Sequence, residues 1–383
     1  MELDEVLITM TGSNSNKKEQ EAQTALLEPH FASNVFGLAR VMCIDLRRPG
    51  TLRIFNGVVT SVMFFLATYT IGYNIRITFL SRHLSAELAS QLLIILWAIQ
   101  SLISMGFLVY WQLYGHLSEF RTKLALCQSL RGLSSPRGQK YERRTNRFFY
   151  FTVFLTCSVT VVLAAKYHLE EKHTKFQEQQ SYIFYYPTLR PLYTLITTYL
   201  YIVFNMTLFV LIMYTNSTYL EMRYFNDQLS EFDGSCGTEH AKKELLQYLE
   251  VYSDLCSVIR HLDQIFRLYT FIMIVITVPS MIFTLMMMNH RIHSLIDLFL
   301  CMPTIGLCAF SFCAVTIAPA RLHDEISRTK GHLCQNRSIW FPYRKEVYLI
   351  ANTLTSHMEQ FDLGVSVWGF AVLSRPLILG RPP

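Results

Sequence analysis

Leu192-Tyr-Thr-Leu-Ile-Thr-Thr-Tyr-Leu-Tyr-Ile-Val-Phe-Asn-Met-Thr-Leu-Phe-Val-Leu-Ile-Met-Tyr214 decides the fold. The stretch holds no Asp, Glu, Lys or Arg. It also exceeds the roughly 20 apolar residues that a helix rising about 1.5 Å per residue needs to cross a hydrocarbon layer about 30 Å thick. Runs of the same kind stand on either side of it, at 55–75, 88–114, 148–165, 268–288 and 298–318. The run at 148–165 is the shortest, and the one at 88–114 is long enough to tilt. A seventh run, 363–379, is interrupted by Arg375 and Pro376. With 51% of its 383 residues hydrophobic and 16% charged, the chain falls outside the soluble class. The expected fold is all-α: a polytopic membrane helical bundle of six clear transmembrane helices plus a partial seventh, with helical extensions on the cytoplasmic side.

The side on which those extensions lie follows from Lys and Arg, which are retained on the cytoplasmic face. With the N-terminus inside, the inner segments hold 25 basic residues and the outer loops 7. That bias opposes the orientation of a G-protein-coupled receptor. No cleavable signal peptide is visible, so 1–54 reads as a cytoplasmic N-terminal segment and the first span as its own insertion signal. Residues 55–318 form the transmembrane bundle, with cytoplasmic loops at 115–147 and 215–267. Residues 319–383 hold a cytoplasmic amphipathic helix and a truncated last helix. Of nine cysteines none falls in an outer loop, which leaves no external disulfide. The sequons at Asn216 and Asn336 lie inside and the one at Asn205 lies within a span, so glycans are not expected.

Two inner segments carry helical periodicity. Leu245, Leu249, Tyr252, Cys256, Ile259, Leu262 and Phe266 recur at steps of three and four, and the pattern runs into the fifth span without Pro or Gly. Val347, Ile350, Leu354, Met358 and Phe361 mark a second amphipathic stretch. The two stripes can pack on one another, on copies in other subunits, or on the membrane surface. By contrast, 117–147 is basic and contains Gly132, Ser134, Ser135, Pro136 and Gly138, and it reads as a flexible loop near anionic lipid.

No Gly-rich phosphate loop, Gly-x-Ser-x-Gly elbow or His-Glu-x-x-His is found, so an enzyme is not expected. His290 and His293 lack further ligands at metal spacing apart from Asp297, and neither a metal nor another cofactor is expected. The spans carry no ionised side chain, which argues against a pump or secondary transporter. Instead they carry neutral polar and aromatic groups. Trp97 and Gln100 in the second span, Thr156 and Thr160 in the third, and Tyr193 and Thr197 in the fourth are the candidate ligand-binding residues for an uncharged, partly aromatic molecule. Tyr and Trp belts at the interfaces and Gln side chains bridging helices are the competing explanation.

The C-terminal residues Gly369, Phe370, Ser374, Arg375, Leu377 and Ile378 fit the stretch that leads into the last helix of invertebrate gustatory receptors, and the order of segments from about Val35 onward resembles that family. The resemblance implies a sensory receptor in the plasma membrane: a ligand-gated cation channel, homo- or hetero-tetrameric, detecting a small-molecule tastant. It also implies a pocket in the outer halves of the helices and a last helix that lines the pore, with the C-terminal motif residues taking part in gating. No nucleic-acid partner is implied. Light- or peroxide-sensing relatives are an alternative, for which Trp97, Trp111 and Trp368 are the residues to test. A G-protein-coupled chemoreceptor and a non-conducting modulatory subunit are others. The family's pore-helix signature should follow Leu379, yet the sequence stops at Pro383, so the resemblance implies a truncated or alternatively spliced chain unable to conduct alone.

Overall fold

The computed structural model describes residues 30–47, 50–80, 86–127, 131–169, 190–233, 237–291, 295–359 and 363–375. Five of its helices are long and apolar enough to cross a membrane. They are α2 (Thr51–Leu80), α3 (Ala86–Leu113), α7 (Arg190–Glu231), α8 (Thr238–Arg291) and α9 (Leu295–Gln335). The run at 148–165 lies in α6 (Pro136–Leu169), whose side chains are described only as far as 158. The fold is therefore the expected helical membrane bundle. Within it α7 is central: its most apolar window is 72% buried, against 28% for α2, which turns Phe55, Val58, Val62 and Phe65 outward.

α7, α8 and α9 each continue past their apolar windows and carry a second set of packed helices there. α8 is one helix from Thr238 through the stripe that starts at Leu245, as its uninterrupted period requires. The second amphipathic stretch is α11 (Lys345–Met358), which follows the short α10 (Arg337–Trp340). It buries Val347, Ala351 and Leu354 against α8 and α9. Two ion pairs pin its ends, Lys242 to Glu346 at 2.6 Å and Lys330 to Glu359 at 2.8 Å. The two stripes thus meet within one chain.

Three expectations need correction. First, the described part of 117–147 is mostly helical rather than a flexible loop: it holds α4 (His116–Leu126), the single turn α5 (Arg131–Ser134) and the first turns of α6, while 128–130 lie outside the described residues. Pro136 opens α6, where its missing N–H and fixed φ cost nothing. Gly132 is placed for closeness, since a Cβ there would stand 2.5 Å from the Leu220 carbonyl oxygen on α7. The Glu221 carboxylate accepts the Gly132 and Leu133 N–H groups at 3.1 and 2.8 Å.

Second, the segment 1–54, which has no continuous apolar run, still supplies a helix to the core. α1 (His30–Val41) buries Val35, Phe36 and Ala39 in the core. Beyond α1, Asp45 is 1% exposed and bonded to Arg47 at 3.0 Å and Arg40 at 3.3 Å. Burial alone would raise that carboxyl, but the bonds and charge of the two arginines outweigh it and hold the pKa below the ordinary range.

Third, 363–374 is not the start of a seventh helix. It forms a hairpin, with β1 (Ser366–Val367) antiparallel to β2 (Ala371–Val372). Trp368 and Gly369 turn it with φ of 52° and 79°. Asp263 of α8 accepts the Ser366 N–H at 2.6 Å and its hydroxyl at 2.7 Å. The backbone turns helical again at Arg375, whose guanidinium pairs with Asp324.

Candidate functional site

Trp97 and Gln100 lie three residues apart on one side of α3, where Trp97 meets Tyr201 of α7 and Gln100 reaches Thr277 of α8. Between α3, α7 and α9 they border a cavity of about 300 Å³ counting its open mouth, together with Ser101, Tyr201, Phe204, Asn205, Leu307, Cys308 and Ser311. Its enclosed interior is only about 10 Å³, room for about one water molecule, so a larger guest enters only as the three helices part. The Trp97 and Tyr201 rings meet edge to face, with centroids 5.6 Å apart and planes at 85°. An aromatic guest can add to such a pair.

The polar groups of the cavity are not equally committed. Ser101 and Ser311 donate back to their own helices, to the carbonyls of Trp97 and Cys308, each at 2.8 Å. Gln100 donates through Nε2 to Thr277 Oγ1 at 3.0 Å and to Met273 Sδ at 3.5 Å, which ties α3 to α8. For that amide nitrogen the bridging role weighed from the sequence is the one observed. Asn205 donates through Nδ2 to Thr156 Oγ1 at 3.0 Å and to the Tyr201 carbonyl at 2.9 Å, which ties α7 to α6. Its Oδ1 is buried and accepts nothing. An unpaired acceptor in an apolar wall costs about 1–3 kcal/mol, so the cavity lacks one hydrogen-bond donor.

Of the six candidate ligand-binding residues, Trp97 and Gln100 line the cavity and Thr156 stands behind it through Asn205. Tyr193 and Thr197 are half-buried further along α7 and do not line it. The Thr160 side chain lies outside what is described. Among the gating candidates Gly369 and Phe370 are at the exposed hairpin tip, Ser374 and Arg375 follow it, and Leu377 and Ile378 lie outside the described residues. The α9 contribution of Leu307, Cys308 and Ser311 had no signal in its own span. Only the packing of α9 on α7 brings it to Trp97.

Below the cavity an aromatic column continues along α3, α7 and α8. Ser104 lies 3.3 Å from the Tyr269 hydroxyl, and Trp111 is 5.3 Å from the Tyr269 ring and 4.8 Å from that of Phe266. Phe266 then meets Tyr214, and Tyr214 meets Phe120. No group of His, Cys, Asp and Glu arranged to hold a metal occurs among the described residues.

A family model described as "Caenorhabditis protein of unknown function, DUF267" matches residues 38–348, most of the chain and every helix around the cavity. The chain belongs to this family. No curated protein matches this DUF267 member. Solved structures do. The insect olfactory receptor OR5 from Machilis hrabei is similar with a TM-score of 0.64 at 8% identity, over 91% of this chain and 95% of that one. The same receptor in complex with eugenol is similar with a TM-score of 0.61 at 9% identity, over 93% and 95%. At that identity the likeness is one of fold: this DUF267 chain has the helical membrane architecture of an insect olfactory receptor.

Proposed function

We propose that the chain is a chemosensory receptor subunit of the gustatory receptor type, a ligand-gated cation channel that assembles as a homo- or hetero-tetramer in the plasma membrane. The observation that carries the reading is the orphaned Asn205 Oδ1 beside the Trp97–Tyr201 ring pair, in a fold shared with an insect olfactory receptor. The ligand is a small, uncharged aromatic molecule with one hydroxyl or N–H donor. Its ring packs on Trp97 and Tyr201, and its donor satisfies Asn205. Among the described residues no cation lines the cavity to hold a carboxylate.

Transmission follows from rigid elements. Gln100 couples the cavity wall to Thr277 of α8, and α8 continues unbroken to Asp263, which holds the hairpin ahead of Arg375. A ligand that favours one packing of α3 against α8 therefore biases the position of the hairpin and of Arg375 after it.

The test uses purified chain in detergent and pairs of phenols with their deoxygenated counterparts. Ligand at about 100 times its Kd stabilises the folded state by about 2.7 kcal/mol. A neutral phenol should raise the unfolding temperature, its deoxygenated partner should raise it less, and Trp97→Ala should abolish both shifts. Equal stabilisation by carboxylates, or none by any neutral donor across the panel, contradicts the reading.

A further inference from the structure

α6 has two faces with different fates. The inner one, Tyr141, Thr145, Phe149, Thr152 and Thr156, recurs at helical spacing and packs inward, with Phe149 1% and Thr156 1% exposed. Phe149 meets Phe209 of α7 at 4.9 Å, and Arg321 of α9 reaches the Tyr141 hydroxyl at 3.3 Å. The outer face begins with Lys140, Arg143, Arg144 and Arg147, all exposed and spaced i, i+3, i+4, i+7. It continues as Tyr150, Phe151 and Phe154, which are 56%, 58% and 69% exposed.

Other cations nearby are engaged: Arg137 with Asp227 at 3.1 Å, and Arg321 over the Tyr219 ring at 4.8 Å. The four of the stripe pair with no carboxylate among the described residues. From Lys140 to Arg147 the helix rises about 10 Å. That exceeds by little the roughly 5–8 Å of headgroup layer on each side of the hydrocarbon. The aromatic residues then begin where the acyl chains begin. A solvated charge run has no reason to turn into exposed aromatics along the same line.

We propose that this face of α6 is a binding site for anionic phospholipid, with the stripe holding a headgroup that bears more than one phosphate and Tyr150, Phe151 and Phe154 lying along its acyl chains. Arg143 and Arg144 flank the headgroup from adjacent positions, while Lys140 and Arg147 close it from a turn above and below. A guanidinium offers a forked pair of donors to phosphate oxygens. Lipid bound here clamps the start of α6, next to the α5 turn whose Gly132 and Leu133 N–H groups Glu221 holds, outside the ligand cavity.

The experiment uses the full chain, purified in neutral detergent with phosphatidylcholine, and titrates short-chain phosphatidylinositol bisphosphate against it. Two charge-matched double variants are compared, Arg143→Gln with Arg147→Gln on the stripe, and Lys243→Gln with Lys345→Gln elsewhere. Each stripe cation near a membrane surface is worth about 5-fold in affinity, so the stripe variant should bind about 25-fold more weakly and the control should match wild type. Equal losses in both variants would show generic attraction to net charge and overturn the site. Equally tight binding of the acyl-free inositol phosphate would also overturn it, since the aromatic half would then contribute nothing. If the stripe variant fails to fold, the wild-type chain decides: rising salt must weaken the lipid, and phosphatidylcholine alone must not compete.

Discussion

Replacing Asn205 by Leu should leave the protein about as stable as it is now while removing recognition of a hydrogen-bonding ligand. The substitution keeps the branched shape of the side chain, although two methyl groups are bulkier than the amide they replace, and deletes two things. One is the Nδ2 donor, which bonds Thr156 Oγ1 at 3.0 Å and, within α7, the Tyr201 carbonyl at 2.9 Å; interhelical bonds of the first kind in membranes average about 0.6 kcal/mol and reach about 1.7. Thr156 is not stranded by the loss, because its hydroxyl still donates to the Thr152 carbonyl at 2.8 Å. The other is the buried Oδ1 that accepts nothing, whose removal relieves about 1–3 kcal/mol. The difference favours the variant by about 1 kcal/mol before the added bulk is counted, and that bulk offsets it by a similar amount. Thermal unfolding in one detergent, followed by tryptophan fluorescence, measures it. Phenol binding should fall about 2- to 10-fold, the worth of a neutral hydrogen bond, with its deoxygenated analogue unaffected. A variant destabilised by more than about 2 kcal/mol would refute the reasoning, since Asn205 would then be a structural bridge whose free oxygen carries no functional meaning.

Gly132→Ala drives a methyl into the Leu220 backbone, so α5 must lift from α7 at a cost of about 1–3 kcal/mol; limited proteolysis should then cut near 128–136 faster than in wild type. Asp263→Ala frees Ser366 from both of its bonds, and amide exchange over 366–372 should accelerate while the helices keep their protection. The Asp45 carboxyl has a folded pKa below its unfolded one. Its contribution is therefore complete above the ordinary value of 3.8 and is lost as pH falls through the folded value. Asp45→Asn should cost about 1–3 kcal/mol at neutral pH, discounted because Arg40 is half exposed, and should flatten the acid limb of the stability profile.

How far the sequence could be read depended on whether the deciding interaction was local. The spans follow from apolar length, and α8 from a stripe that repeats without interruption from Leu245 to Phe266, so both were legible. The α11 face was legible too, with its partner left open among α8, other subunits and the membrane surface. The segment 117–147 was misread because its Gly and Pro residues act through tertiary neighbours: Gly132 serves a close approach to Leu220, and Pro136 starts a helix that its own sequence seemed to break. The hairpin at 366–372 is held by Asp263, about a hundred residues earlier, which no local pattern announces. Likewise Trp97 and Gln100 were recoverable from one span, whereas their meeting with Asn205 and Ser311 required three helices to be placed together.

The sidedness of the N-terminus tests the account most directly. It decides at once whether the α3–α7–α9 cavity opens toward the outside and whether the basic stripe of α6 faces the cytoplasmic leaflet. An epitope fused at the N-terminus of the full chain is stained in intact and in permeabilised cells. The account predicts staining only after permeabilisation. Staining of intact cells would contradict it, turn the cavity toward the cytoplasm, and return the G-protein-coupled receptor to first place.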